Sequence, residues 1–201
     1  MGDLMRVTND KTVMKSVIQT LDELNDYSLQ IGIFGEDNSF IQMIAGVQEF
    51  GLTIKPKGKY LTLPTEAAGG RKAREIPGLF KPRNKNILAV AGKNGKLTVM
   101  FYLKEEVKIP ERSFLRSTFE ENNQKWIDFF DRKMDEIIVG ECTAQQVYNQ
   151  LGAMIVADIQ MKIRDTQSPA NSGYTAKRKG ANNPLVDTGR LRQSVTWKVV
   201  R

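Results

Sequence analysis

The chain contains 201 residues, of which 40% are apolar and 26% are charged, and its net charge is +7, so it can form a packed core and is not disordered throughout. The absence of histidine excludes Ser-His-Asp and Cys-His triads and HExxH metal sites, and the single cysteine, Cys142, excludes an internal disulfide and a multi-cysteine zinc site. No apolar run is long enough to span a bilayer and the first residues lack an apolar segment, so we expect neither a membrane partner nor a secretory signal.

The first fifty residues predict two helices separated by a strand. Apolar residues at spacings of three and four indicate a helix over residues 11–26 and a second over about 39–50. Alternating apolar residues indicate a strand over 28–35. We expect Asn38 to cap the second helix and Gly51 to end it.

Residues 52–86 are the least regular part of the sequence. A short strand is expected at 60–63. The segment that follows, 66–85, is rich in Lys and Arg and poor in apolar residues, which predicts a long, mobile, basic loop. The basic residues that we expect to make contacts here are Arg71, Lys72, Arg74, Lys81, Arg83 and Lys85.

A β-hairpin is predicted next, with strands at 87–90 and 97–103. Asn94-Gly95 between them is the dipeptide that most favours a tight hairpin turn. Residues 92–96 are superficially similar to a phosphate-binding loop, but they lack its spacing and join two strands. We therefore interpret them as a turn.

Two long helices are predicted over 114–139 and 143–165. Thr143 and Gln146 form a capping-box pattern at the start of the second. Because the link between the helices is short, we expect them to lie antiparallel as neighbours.

Each long helix carries an apolar stripe. The first stripe consists of Phe119, Trp126, Ile127, Phe130, Met134, Ile137 and Ile138, and the second of Val147, Leu151, Ile155, Ile159 and Ile163. The pattern predicts that Phe130 and Ile155 face each other or the sheet.

The last part of the chain predicts a loop, a helical turn and a strand. Residues 166–183 are polar and form a second predicted mobile loop, with a basic cluster at Lys177, Arg178 and Lys179. Residues 187–194 indicate one helical turn, which we expect Asp187 or Thr188 to cap, and alternation over 195–199 indicates a terminal strand. The residues alone thus predict an α+β fold with two basic loops.

Charge is unevenly distributed along the chain. Residues 51–100 carry eleven Lys/Arg against two Asp/Glu, and residues 151–201 carry nine against three. Residues 1–50 (three against eight) and 101–150 (seven against ten) are acidic. The basic loops are either solvated surface or contacts for an acidic partner or nucleic acid.

Three stretches in order resemble a known family. Ile44–Gly51 follows a predicted strand and is similar to an "A…(H/N)EFG" motif, and Val107–Arg116 resembles "IPARPFLR". Pro184–Val195 resembles "PLIDTGRLRxSI". These are motifs of phage tail-completion proteins, the head–tail joining group that includes minor tail protein Z of lambda and the Mu-like virion morphogenesis proteins. Gln48 stands where that family more often has His or Asn, and Ser113 stands where it more often has Pro.

The resemblance implies one tail-completion-like domain over residues 1–201, with a small mixed, largely antiparallel sheet covered by two long antiparallel helices. It implies a structural virion protein, without cofactor or enzymatic activity, in a ring at the neck or the head-proximal end of the tail. The motif residues that carry it are Ala45, Glu49, Phe50, Gly51, Ile109, Pro110, Arg112, Phe114, Leu115, Asp187, Thr188, Gly189, Arg190 and Leu191.

The expected partners follow from that role. They are other copies of the chain in a hexameric or dodecameric ring, neighbouring neck, portal-side or tail-terminator proteins, and packaged DNA. The expected location is the virion, with assembly in the host cytoplasm. We expect the basic loops to contact acidic surfaces of adjacent subunits, because strong attraction to DNA in the channel would slow its passage.

Two other functions remain open. One is a DNA-binding accessory protein of phage assembly, through the basic loops. The other is an enzyme that uses carboxylates, such as Glu120 or Asp131. The carboxylate pairs Glu105-Glu106, Glu120-Glu121 and Asp131/Asp135 are ordinary helix and loop surface unless a cleft desolvates them.

Overall fold

A computed structural model describes residues 11–92, 95–179 and 183–201. Asn94 of the predicted hairpin turn, and the side chains of Lys177 and Arg178, lie outside the part of the protein that it describes.

The order of elements is α1 (Lys11–Asn25), β1 (Ser28–Gly32), α2 (Gly35–Phe50), β2 (Leu52–Ile54), β3 (Leu61–Pro64), β4 (Ile87–Ala91), β5 (Leu97–Lys104), β6 (Val107–Ile109), α3 (Leu115–Ile138), α4 (Ala144–Asp165), α5 (Gly173–Lys179), α6 (Arg190–Gln193) and β7 (Thr196–Val200). Two 3₁₀ turns, Glu66–Ala68 and Ala73–Glu75, lie between β3 and β4. The predicted α+β fold is confirmed.

The chain divides into two compact units. The residues up to Phe50, together with those from Arg112 onwards, form the first unit, and Gly51–Glu111 form the second. Whether the chain behaves as one tail-completion-like domain stays a prediction.

The strands of the described residues form three antiparallel sheets. In the first unit β1 pairs with β7, in the register Ile31 to Trp197. In the second unit β2 pairs with β6, and β3, β5 and β4 form a sheet in that order. Pairing thus links strands far apart in sequence, while the only hairpin that the sequence predicted, β4–β5, is also present.

The core of the first unit lies between α2, α3, α4 and the β1–β7 ribbon. Phe114 and Ile163 are fully buried in it. The ribbon packs against α4. The remaining buried residues of this cluster are Ile41, Ala45, Trp126, Ile155, Val156, Ile159, Leu185, Leu191 and Val195.

The two long helices are antiparallel, as predicted. Contacts run in opposite directions along them, since Glu121 of α3 pairs with Lys162 of α4 and Lys125 pairs with Asp158. The capping box at the start of α4 is confirmed. The backbone N–H of Gln146 donates to the Thr143 hydroxyl oxygen over 3.2 Å, and the backbone N–H of Thr143 donates to Gln146 Oε1 over 2.9 Å.

Part of the predicted helix pattern is wrong. The stripe of α4 is buried or half-buried, but on α3 Phe119, Ile127 and Ile138 are exposed. Phe130 does not lie with Ile155: it packs in a separate cluster beside Tyr148, with the ring centroids 5.9 Å apart. An apolar stripe therefore identifies a helix, but it does not show which residues of the stripe are buried by the rest of the chain.

Helix α2 begins earlier than predicted. It starts at Gly35, so Asn38 lies within the helix and not at its N-cap. At its other end Gly51 takes a positive φ of 69°, and a Cβ there would meet the Glu111 amide nitrogen at 2.9 Å. The expected helix-ending role of Gly51 is therefore confirmed, and no other residue fits its place without strain.

Part of the segment predicted to be a long basic loop packs against a sheet of the second unit. Ala68 and Ile76, in the segment expected to be a long loop, are buried with Met100 and Phe101 of β5. Thr65 fixes the start of this segment, since its hydroxyl donates to the Val99 carbonyl over 2.7 Å. The segment therefore packs against its sheet, and its mobility stays a prediction.

None of the helices in the described ranges combines the length and the apolar character required to cross a membrane.

Candidate assembly site

The first two motifs meet at the carboxylate of Glu49. Only 3% of this side chain is exposed, at the end of α2. It accepts the backbone N–H groups of Phe114 (2.8 Å), Leu115 (2.9 Å) and Arg116 (3.0 Å) at the start of α3. It also accepts the Ser113 hydroxyl at 2.7 Å. A side chain 65 residues away thus supplies the N-cap that Phe114, the residue at the cap position, cannot supply.

The charge of Glu49 suits this position. Burial raises the pKa of the carboxyl, but the hydrogen bonds from Leu115, Ser113, Arg116 and Phe114 outweigh it, so the pKa lies below its ordinary value. A carboxylate at a helix N-terminus is further stabilised by the helix dipole. Glu49 is therefore ionised and holds α2 and α3 together.

Arg112 joins the same two motifs to a third segment. Its backbone N–H donates to the Gln48 carbonyl over 2.7 Å, and its Nη1 donates to Gln48 Oε1 over 3.0 Å. Its Nε and Nη2 donate to the carbonyls of Pro169 (2.6 Å) and Ala170 (3.1 Å). The guanidinium is buried, which lowers its pKa. It holds the first residues of the segment 166–183, which was predicted to be a loop throughout but contains helix α5 (Gly173–Lys179).

The third motif packs against α2. Leu185, Leu191 and Val195 are buried in the cluster that contains Ile41 and Ala45. Between α2 and this motif lies an open cleft of about 370 Å³, lined by Phe40, Ile44, Gln48, Lys179, Asp187 and Arg190, among other residues. Residues of all three motifs therefore lie in one region of the first unit.

The cap of the last helical turn differs from the prediction. Asp187 and Thr188 are exposed, and neither caps α6. Gly189 is the N-cap, with a φ of 80° and no side-chain hydrogen bond. The turn therefore depends on backbone conformation that glycine adopts readily.

The other motif residues divide between packing and exposure. Phe50 is 67% exposed, and the Arg116 guanidinium lies 5.2 Å from its ring centroid. Arg190 is exposed, whereas Leu115 is half-buried. In the second unit, Ile109 ends β6 and Pro110 follows it, both half-buried.

The basic residues expected in the first loop are all exposed: Arg71, Lys72, Arg74, Lys81, Arg83 and Lys85. Arg71 also contacts the preceding 3₁₀ turn, Glu66–Ala68, because its guanidinium donates to the carbonyls of Ala67 and Ala68. In the second basic cluster Lys179 donates to the Asn183 carbonyl over 3.1 Å.

Sequence reasoning missed a buried polar contact between the long helices. The Asp158 carboxylate accepts the Trp126 indole N–H at 2.8 Å and the Lys125 ammonium at 2.7 Å. Asp158 is 8% exposed. The sequence could have indicated this contact, because Asp158 lies beside the apolar residues Ile155 and Ile159 of α4. A buried carboxylate requires hydrogen-bond donors on a facing element.

A second missed contact concerns Gly152 and Trp197. Gly152 is buried in α4, and a Cβ placed on it would lie 2.5 Å from Cγ of the Trp197 ring. The indole N–H donates to Asn149 Oδ1 over 3.1 Å. The aromatic ring of β7 therefore lies directly on the helix where the side chain is missing.

Within the part of the chain that the structure describes, no three His, Cys, Asp or Glu residues are grouped so that they could hold a metal ion. Comparison with models of known protein families, with curated proteins and with solved structures finds no match to this chain.

Proposed function

We propose that this protein is a structural component of a tailed phage virion. In this proposal it forms a ring at the neck or at the head-proximal end of the tail, joins the head to the tail, and has no enzymatic activity. The observation that carries the proposal is the ordered set of three motifs, which resembles that of the tail-completion proteins.

The contacts of the first unit support treating these motifs as one structural site. Glu49 of the first motif binds the backbone of the second, and Arg112 of the second binds Gln48 of the first. Leu191 of the third is buried in the cluster that contains Ala45. Motifs that are distant in sequence are therefore held together in one part of the first unit.

Exposed apolar residues support the expectation of a ring. On α2, Phe40, Met43 and Phe50 are 61%, 56% and 67% exposed. Their spacings of three and seven place them on one face of the helix. A contiguous exposed apolar face is typical of a protein interface, so we expect a neighbouring copy of the chain to cover it.

The experiment that tests the proposal is negative-stain microscopy of particles assembled without this protein. The proposal predicts full heads and finished tails that are separate. Joined virions of normal appearance would exclude the joining role.

The alternative, a DNA-binding accessory protein, is favoured by one observation, the concentration of positive charge. It predicts salt-sensitive binding of duplex DNA by the isolated chain and normal head–tail joining in its absence.

A further inference from the structure

The net positive charge of the chain lies in one of its two units. Gly51–Glu111 carries thirteen Lys/Arg against five Asp/Glu, a net charge of +8. The first unit carries seventeen against eighteen, a net charge of −1. A second copy of the chain therefore offers the basic unit little net charge of opposite sign.

Two segments of this unit share an unusual pattern. Residues 55–59 carry Lys55, Lys57 and Lys59 at alternate positions, and residues 81–85 carry Lys81, Arg83 and Lys85 in the same way. All six side chains are exposed. Neither segment contains a carboxylate, and no acidic residue lies between 50 and 65 or between 76 and 104.

The fold brings these two segments together at Tyr60. The Lys81 ammonium lies 4.9 Å from the centroid of the Tyr60 ring, and the Lys59 ammonium lies 5.6 Å from it. The two ammonium groups are therefore no more than 10.5 Å apart, within about one Debye length at 0.1 M salt. The ring stabilises each cation but neutralises neither.

We propose that residues 55–60 and 81–85, here called the Tyr60 patch, bind the phosphate backbone of nucleic acid without sequence specificity. Phosphates supply a dense negative charge, whereas the first unit is nearly neutral in net charge. The Tyr60 ring lies beside Lys59 and Lys81, and Phe80, which precedes Lys81 in sequence, is also exposed. Aromatic surface beside cations is typical of nucleic-acid binding surfaces.

This inference changes the partner expected for the basic segment and does not rest on the joining role. Non-specific binding of this kind has a Kd of about 10⁻⁴–10⁻⁶ M at physiological salt, so it need not hold DNA in place. Binding as weak as this would not slow the passage of DNA through a channel, which only much tighter binding would do.

The test is fluorescence anisotropy of a labelled duplex of random sequence with the full chain, titrated with salt. The variant Lys59→Gln/Lys81→Gln/Arg83→Gln removes three cations of the Tyr60 patch. The control Lys15→Gln/Arg132→Gln/Arg192→Gln removes three exposed cations of the first unit, so both variants have the same net charge. Circular dichroism confirms that both are folded.

The wild-type chain should bind with a log–log salt slope of about −0.9 for each phosphate contacted. The patch variant should bind at least about tenfold more weakly at low salt, with a slope shallower by about two to three, while the control changes less than about twofold. Absence of binding by the wild type, or equal loss in both variants, would overturn the proposal. Polyglutamate competing as well as DNA of equal charge would also overturn it and would indicate an acidic protein as the partner.

Discussion

The Glu49 carboxylate accepts the backbone N–H of Leu115 over 2.9 Å, and by this contact the end of α2 caps the beginning of α3. The same carboxylate accepts the amides of Phe114 and Arg116 and the Ser113 hydroxyl. One buried side chain therefore determines how two helices, separated by the whole second unit in sequence, are held together in the first.

Replacing Glu49 by Gln should destabilise the protein by about 2–4 kcal/mol, because hydrogen bonds to a charged acceptor are lost and an amide N–H₂ group is placed against backbone donors. Urea denaturation measures this. Glu120→Gln, on the exposed surface of α3, is the control and should change stability by no more than about 0.5 kcal/mol. An equally small effect at Glu49 would show that its hydrogen bonds do not secure the helix.

The Glu49 contact also predicts a dependence on pH. The pKa of this carboxyl is lower in the folded than in the unfolded chain, so the unfolded chain binds more protons at acid pH. The stabilisation is present above the ordinary Glu pKa of about 4.3 and is lost as the pH falls through the lower, folded value. The stability difference between the wild type and Glu49→Gln should therefore shrink below about pH 4.3. A stability difference between the wild type and Glu49→Gln that stays constant down to about pH 2.5 would contradict this prediction.

Gly152→Ala should destabilise the first unit by about 1–3 kcal/mol, because the added methyl group would overlap the Trp197 ring. Intrinsic helix propensity acts in the opposite direction, by up to about 1 kcal/mol. Gly46→Ala in α2 is the matched control, since nothing lies within 4 Å of a Cβ there, and it should be neutral or stabilising. Thermal unfolding measures the stability of both variants. A stabilising effect of Gly152→Ala would show that the Trp197 ring does not lie against Gly152.

Asp158→Ala should cost about 2–4 kcal/mol, because the buried Trp126 indole N–H and the Lys125 ammonium both lose their acceptor. Trp126 fluorescence should also change, since its indole would lose its hydrogen bond. Asp128→Ala, which removes only an exposed acceptor of Gln124, serves as the control. Unchanged stability and emission in Asp158→Ala would show that the two helices are not linked by this carboxylate.

Local features of this fold were predictable from sequence, and non-local ones were not. The capping box of Thr143 and Gln146 and the glycine that ends α2 were predicted correctly, because their signals lie within a few residues. β2 and β6 were missed, since each has only three residues and the two strands lie far apart in the sequence, at Leu52–Ile54 and Val107–Ile109. The Glu49 cap was missed for the same reason: nothing near Phe114 in sequence shows where its amide partner lies.

The candidate site was identified in sequence as three separate motifs. The structure adds that residues of these motifs contact one another or share a buried cluster in the first unit. It also shows that the exposed residues of the site, such as Arg190, are distinct from those that hold it together. Sequence resemblance alone does not separate these roles, because both kinds of residue occur in the same motif.

The exposed face of α2 predicts the effect of a surface variant on assembly. Phe40→Ser/Met43→Ser should leave the monomer folded, because both side chains are more than half exposed, and should weaken ring formation. Native mass spectrometry of the purified chain measures the oligomer. Gln42→Ala, at an exposed position of the same helix away from this face, is the control. Rings of unchanged stability in the Phe40→Ser/Met43→Ser variant would exclude this face as the subunit contact.

The most direct test of the joining role is complementation in vitro. Heads filled with DNA and complete tails are isolated from particles made without this protein and are mixed with the purified chain, and joined virions are counted by negative-stain microscopy and by infectivity. If the protein joins head and tail, the wild-type chain should restore joined, infectious particles in proportion to the amount added, whereas buffer alone should leave heads and tails separate. Joining to the same extent without the protein would exclude the joining role.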